Sequence, residues 1–356
     1  MVGNGFLDDP RAEGLTISDV ARRASVSPAT VSRVLNGDSR VGEAYRTRVL
    51  QAVEELDYRP NVLARNLRRQ RTATIGVVVP DIENPHFGEL VRSVEDRAFD
   101  AGYRVLVCNT DETAAKQRAY LEALIDERVL GVIISPSDPG DAQISRLLDL
   151  RIPGVACDRE VADARADAVL ADNVKAIRIA GDVLVAEGHV RIAFIGGRAD
   201  VETGAERLAG YEMAMRAAQL EPLVVDGDFR LERAEAAVAG LLRRDPRPTA
   251  LIVANNLMTL GALRAVRDAG LRVPGDIALL GVDDPPWSAL VDPPLTTLAQ
   301  PVRAMAADAM ELLLQRVAGA RTHPRRIVHP FELRERASTG RPSSPSRTGS
   351  APARRG

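Results

Sequence analysis

TISDVARRASVSPATVSRVLN, residues 16–36, reads as two short helices joined by a tight turn. Thr16 can cap the first helix with Asp19 at the capping-box position, and Val20 and Ala24 fall on its inner face. Ser27 followed by Pro28 opens the second helix, because a serine oxygen accepts an orphan backbone N–H and proline already holds the φ of a first turn. Val31, Val34 and Leu35 then face inward, which leaves Ala29, Thr30, Ser32, Arg33 and Asn36 outside. In a helix-turn-helix the start of the second helix meets base edges, so this face is expected to read DNA. Arg33 is the expected base reader, since a guanidinium grips guanine O6 and N7 bidentately; Thr30 and Ser32 suit phosphate or a thymine methyl. The competing reading is a generic helical hairpin.

Outward from this stretch, residues 42–56 form a third predicted helix that aligns Val49, Val53 and Leu56 to close a three-helix core. Residues 59–73, RPNVLARNLRRQRTA, hold a helix of barely two turns, with Pro60 in its first turn and Leu63 and Leu67 one turn apart. So short a helix does not stand alone, because its nucleus costs more than its hydrogen bonds return, and it is expected to fold on a partner. Paired across a dimer it would push Leu67 between base steps in the minor groove, with Arg65 and Arg68 beside the phosphates; a plain basic linker is the alternative.

Charge divides in the same way. Residues 15–72 carry eleven arginines against six acidic residues, or +5, leaving −7 for the rest of a 356-residue chain whose net charge is −2. A basic reader on an acidic body favours DNA contact at one end. The only cysteines, Cys108 and Cys157, lie in apolar runs, where thiols act as small buried hydrophobes rather than a disulfide framework. There is no signal peptide and no apolar run of membrane-spanning length, so the expected compartment is the cytoplasm. Residues 1–14 are expected to be a flexible leader, and 341–356, rich in Ser, Pro, Arg and Gly, a disordered tail without a leucine heptad.

Between these ends apolar strands alternate with amphipathic helices: ATIGVVVP (73–80), YRVLVCNT (103–110), GVIISPS (131–137), GVACD (154–158), RIAFIGG (191–197), TALIVAN (249–255) and IALLGVDD (277–284). This is parallel α/β patterning, and the second set begins after Asp172, so two similar lobes are expected with a crossing near residues 171–174. Ligands bind such sheets at the carboxyl ends of strands. Asp81 closes the first strand, and His86 and Phe87 begin the next helix, where an aromatic could cover a ring face or simply cap the turn. Asp158 and Arg159 close another strand, and a buried carboxylate there can accept two sugar hydroxyls or form an internal ion pair. Trp287, the only tryptophan, either stacks on an apolar sugar face or packs under its own loop.

Taken together, TISDVARRASVSPATVSRVLNG and YRPNVLARNLR closely resemble the headpiece and hinge of the lactose-repressor and purine-repressor family. The resemblance implies that Leu67 matches an intercalating hinge leucine and that Pro28, Ala29 and Arg33 hold base-reading positions. It implies an all-α helix-turn-helix headpiece (15–59), a hinge helix and linker (60–72), and an α/β two-lobed periplasmic-binding-protein-like core (73–340). The helix from Pro301 would rejoin the first lobe and IVHPFELRERAS the second, giving lobe 1 about 73–172 and 301–326, and lobe 2 about 173–300 and 327–340. Effector-contacting positions match at Arg207, Asn255, Asp283 and Gln300, and Phe229 matches a ring-stacking aromatic. The purine repressor's pocket arginine falls on Val201, and a cleft rich in Asp, Asn, Arg and Gln points to a sugar or related polyol; a purine- or nucleoside-responsive repressor is the alternative.

An enzyme or a transport binding protein on the same cleft fold are the rival classes. The four histidines make no HExxH pair or metal spacing, and there is no GxSxG elbow or Walker loop, so no catalytic residue, metal or cofactor is expected. The expected protein is a homodimeric, effector-controlled repressor of a near-palindromic operator.

Overall fold

The computed structural model describes residues 15–35, 38, 40–58 and 72–341. The chain divides into two compact units at Thr72/Ala73, and Asn36, Arg65, Leu67 and Arg68, expected at the DNA, lie outside the described residues.

The first unit contains α1 (Ile17–Ala24), α2 (Pro28–Leu35) and α3 (Glu43–Glu55). Local chemistry sets its boundaries. The Thr16 N–H and hydroxyl both donate to Asp19 Oδ2, at 2.9 and 2.7 Å, and Ser25 ends α1 in the left-handed region at φ 54°. The Thr30 N–H donates to Ser27 Oγ at 3.2 Å to start α2. Val20, Val31, Val34 and Val49 are buried together with Ala21, Ala24, Ala52 and Tyr58. At about 1.5–3 kcal/mol for each fully buried valine, these side chains dominate the small core. The stripe on α3 is rotated slightly from the expected one: Val49 and Ala52 are buried, while Val53 and Leu56 pack at its margin.

The second unit is built from two sheets, each with six strands. In the first, β1 (Thr74–Val79), β2 (Arg104–Asn109), β3 (Gly131–Ile134), β4 (Gly154–Cys157) and β5 (Asp167–Ala171) join a late strand, β11 (Arg326–His329), in the order β11-β5-β4-β3-β1-β2, every pair parallel. In the second, β6 (Ile192–Gly196), β7 (Leu223–Asp226), β8 (Ala250–Val253), β9 (Ala278–Val282), β10 (Thr296–Ala299) and β12 (Glu332–Arg334) run β12-β10-β9-β8-β6-β7, with only β12 antiparallel. Helices cover both faces, so central strands such as β6 and β9 are buried at every residue, and their unbroken apolar runs follow from that.

Six helices matter for the cleft: α4 (Pro85–Asp100), α7 (Asn173–Ala186), α8 (Glu202–Ala217), α9 (Leu231–Leu242), α10 (Asn256–Asp268) and α11 (Val302–Val317); α5 (Ala114–Asp126) and α6 (Ala142–Asp149) flank the first sheet. The chain crosses between lobes three times, after β5, after β10 and between β11 and β12. The core of α11 packs with that of β1, β3 and β4. One expectation is corrected. Ile327–His329 joins the first sheet rather than the second, Ile327 pairing with Val169. The fully buried Asp167 carboxylate explains it: it accepts from Arg316 Nε (2.8 Å), Arg321 Nη2 (3.1 Å) and the Arg325 N–H (2.6 Å), turning the chain that leaves α11 back onto β5. Only β12 carries IVHPFELRERAS into the second lobe.

Candidate functional site

On α2, Ser27, Pro28, Ala29 and Arg33 are exposed, while Thr30 and Ser32 are half-buried. Ser27 is engaged as the helix cap, and its Oγ also lies 2.9 Å from Thr30 Oγ1. Thr16, exposed on the rim, is tied to Asp19. The exposed guanidinium of Arg33, one turn beyond the cap, is thus the group on this face best suited to bidentate base contact.

In the second unit the strand ends face one another across a cleft of about 450 Å³, open mouth included. Asp81, His86, Phe87, Asp158 and Arg159 line it from the first lobe; Arg207, Phe229, Asn255, Asp283 and Gln300 line it from the second. Four lining residues went unforeseen: Asn84, Glu112, Thr203 and Arg230. Asn84 had a legible signal, since Asn before Pro85 is a cap signature, and its Oδ1 accepts the His86 N–H at 3.0 Å. Trp287 does not line the cleft. It sits in a single 3-10 turn, half-buried against the core of the second lobe, so of its two readings the structure takes the packing one.

The two lobes position their carboxylates alike. Asp158 follows β4 at φ 72°, and its N–H donates to Val169 O at 3.0 Å; Asp283 follows β9 at φ 71°, and its N–H donates to Leu298 O at 2.9 Å. Aspartate tolerates this left-handed backbone better than most residues, and it aims both carboxylates at the cleft. Asp283 Oδ1 accepts from Gln300 Nε2 (2.7 Å) and Oδ2 from Asn256 Nδ2 (3.0 Å). Asn255 caps α10, accepting the Met258 N–H at 2.7 Å, and its Nδ2 reaches Phe229 O at 3.3 Å. The Phe229 ring lies so close over Gly197 that a Cβ there would stand 2.1 Å from two ring carbons.

Arg207 is buried with Nε on Asn173 Oδ1 (2.8 Å) and Nη1 on Ala254 O (2.6 Å), neutral partners that leave its charge for the cleft. Burial lowers its pKa, opposed by Asp283 and Asp158. Arg159 is committed elsewhere, held bidentately by Glu112 at 2.7 and 2.8 Å. Arg230 spans the mouth, with Nη1 3.3 Å from Asp81 and Nη2 3.2 Å from Asp111. Burial would raise the Asp158 pKa, but His86, Arg159 and Arg207 outweigh it and hold the carboxyl at about 2. The site therefore presents fixed carboxylates, amides and the Arg207 guanidinium, with Arg159 and Arg230 paired to carboxylates, a set that recognises hydroxyls and ring edges. Among the described residues no cluster of His, Cys, Asp and Glu is arranged to hold a metal, and no helix is long and apolar enough to cross a membrane.

Residues 16–61 match the family described as "Bacterial regulatory proteins, lacI family", and residues 182–339 match the "Periplasmic binding protein-like domain". The "HTH-type transcriptional repressor PurR" of Aliivibrio salmonicida (strain LFI1238) is 37% identical over 321 residues, covering 88% of this chain and 96% of the relative. The chain belongs to the lacI family. The protein of the same name from Klebsiella pneumoniae (strain 342) is 38% identical over 329 residues, covering 91% and 96%. Among solved structures, the lac repressor dimer bound to operator and the anti-inducer ONPF superposes with TM-score 0.83 at 30% identity, over 92% of this chain and all of that one. The CelR–cellobiose complex follows with TM-score 0.68 at 34% identity, over 91% and 99%. The protein is accordingly a transcriptional repressor of the lacI family and not an enzyme, with a helix-turn-helix unit and a two-lobed effector-domain fold.

Proposed function

We propose that this repressor acts in the cytoplasm as a homodimer, that α2 reads a near-palindromic operator through Arg33, and that a small molecule in the cleft controls the affinity. The dimer is supported by the first lobe's edge. Strand β2, at the end of its sheet, leaves Leu106 and Val107 43% and 42% exposed, an apolar edge that a second copy could cover. The lac repressor relative is also a dimer on its operator. Control needs no contact between ligand and DNA. A ligand that favours one lobe arrangement changes the spacing of the two hinge segments, residues 60–72, and hence the cost of folding them on the operator with Leu67 in the minor groove.

For the effector, the cleft chemistry favours a sugar or polyol. The observation that carries this reading is the facing pair Asp158 and Asp283, with Arg207 between neutral partners, because two carboxylates can each accept a pair of hydroxyl protons and the guanidinium can bind a vicinal diol. Val201 stands where a purine-binding arginine would, buried outside the cleft; the CelR relative was solved with cellobiose, and one from Enterococcus faecium, 28% identical, with ribose. The second reading is a purine. The PurR relatives at 37–38% identity back it better than they back a sugar, and Phe87 and Phe229 both line the cleft with aromatic surface. A thermal-shift screen against aldohexoses, pentoses, disaccharides, nucleosides and nucleobases decides between them, because a ligand that binds only the native state raises its stability by mass action. Stabilisation by sugars alone supports the first reading; stabilisation by hypoxanthine or guanine alone replaces it with the second.

A further inference from the structure

Both side-chain nitrogens of His86 are buried in the cleft without a hydrogen bond. Its Nε2 stands 3.5 Å from Asp158 Oδ1 of its own lobe, and its Nδ1 3.9 Å from Asp283 Oδ1 of the other, ion-pair contacts whose geometry falls short of hydrogen bonds. The rest of the junction closes a ring. Asp283 Oδ2 accepts from Asn256 Nδ2 (3.0 Å), Asn256 Nδ2 also reaches Asn84 Oδ1 across the lobes (2.9 Å), and Asn84 Oδ1 accepts the His86 N–H (3.0 Å). Asp158, His86 and Asn84 belong to the first lobe, Asp283 and Asn256 to the second. Within the ring only His86 can take a positive charge; Arg207, which acts on both carboxylates, and Arg159, whose Nε lies 3.8 Å from Asp158, stand outside it and offset part of their repulsion.

We propose that His86 is a proton-operated bolt between the lobes: protonated, it bridges Asp158 and Asp283 and holds the cleft closed, and deprotonated, it leaves two facing carboxylates that push the lobes apart. The bolt does not depend on the reading of the cleft as the effector site.

The groups that bear on the imidazole are Asp158 from the end of β4, Asp283 from the end of β9 and Arg207 from α8, with Phe87 edge-on from α4, its ring centroid 4.8 Å away. Burial and Arg207 disfavour the imidazolium, and the two carboxylates outweigh them, so the His86 pKa is raised above 6.5 in this arrangement. In an open cleft the ring meets water and returns toward the ordinary value. The closed arrangement therefore binds the proton more tightly. Its advantage is complete below about pH 6.5 and is lost as the pH rises through the raised value.

Two measurements on the full-length protein test the bolt without any ligand. The chain has four histidines, so imidazole proton resonances can be followed by NMR and assigned by loss in His86→Gln. The expected result is a His86 resonance titrating above 6.5 that falls by about one pH unit in Asp283→Asn. Hydrogen exchange of segments 81–88 and 254–259, corrected for intrinsic rates, is expected to rise between about pH 5.5 and about pH 8.5 in the wild type and to stay level in His86→Gln. A His86 that titrates at or below 6.5, or exchange with the same pH profile in both proteins, overturns the proposal. Wild-type titration needs no variant, so a poorly folded mutant leaves the test standing. If the bolt titrates as expected while neither sugars nor purines bind, the effector reading fails and the bolt survives.

Discussion

Gly197→Ala places a methyl where the Phe229 ring already is. The built Cβ lies 2.1 Å from both Cε1 and Cζ and 2.6 Å from Cδ1. Ordinary carbon contacts need about 3.5 Å, so the ring or the strand end has to move by roughly 1.4 Å. Phe229 has little freedom to yield: its backbone sits in the left-handed region at φ 54°, next to Asp228 at 53°, and its carbonyl is held by Asn255. Overpacking of this kind costs about 1–3 kcal/mol, and a displaced ring forfeits a stacking contribution of about 0.5–1.5 kcal/mol to any cyclic ligand, a loss of up to roughly tenfold in affinity. The assay is a double-mutant cycle by guanidinium unfolding with Gly197→Ala, Phe229→Ala and the pair. Removing the ring relieves the clash, so the pair should be more stable than the sum of the singles by about 1–2 kcal/mol. Strict additivity, or a Gly197→Ala protein as stable as the wild type, would refute the packing argument.

Arg33→Ala should lose operator preference while keeping salt-sensitive binding to random DNA; equal loss on both removes it as a base reader. His189 Nε2 donates to Gly340 O at 3.2 Å and its Nδ1 lies 3.0 Å from Thr249 Oγ1, tying down the end of the described chain. Burial lowers its pKa, so the unfolded chain takes up the proton first, and stability present above 6.5 should fall on acidification. Replacement by Gln should flatten that loss in pH-dependent unfolding, and an unchanged slope would contradict the assignment. Trp287→Phe should cost less than about 1.5 kcal/mol and leave ligand affinity intact, because Trp287 packs outside the cleft; a large affinity loss by calorimetry would place it inside.

Legibility followed the range of the interactions involved. Caps at Thr16/Asp19 and Ser27/Pro28 are local, decided within four residues, and the sequence displays them directly. Unbroken apolar strands such as β1 and β9 announce burial on both faces. By contrast β5 and β7 each carry an aspartate at one end and β10 opens on two threonines, and only their neighbours make them strands. The placement of β11 depends on Asp167 meeting Arg316 and Arg321, partners about 150 residues away, which no local pattern reveals. Within the cleft, the residues at strand ends, Asp81, Asp158, Asn255 and Asp283, were readable because βα units aim strand ends at the site. Arg230 and Glu112 were not, since each enters the lining only through a partner on another loop, Arg230 with Asp81 and Glu112 with Arg159. Asn255 both caps its helix and lines the cleft.

The central claim is that a cleft ligand controls DNA affinity. Its most direct test is operator binding by fluorescence anisotropy at fixed salt, with and without a ligand that stabilises the protein, in the wild type and in Arg207→Ala. The account predicts a ligand-dependent change of operator affinity of about tenfold or more in the wild type, a coupling of about 1.4 kcal/mol, and none in Arg207→Ala, whose ligand-free operator binding stays normal. Operator affinity indifferent to every cleft ligand, or an equal response in Arg207→Ala, would contradict it.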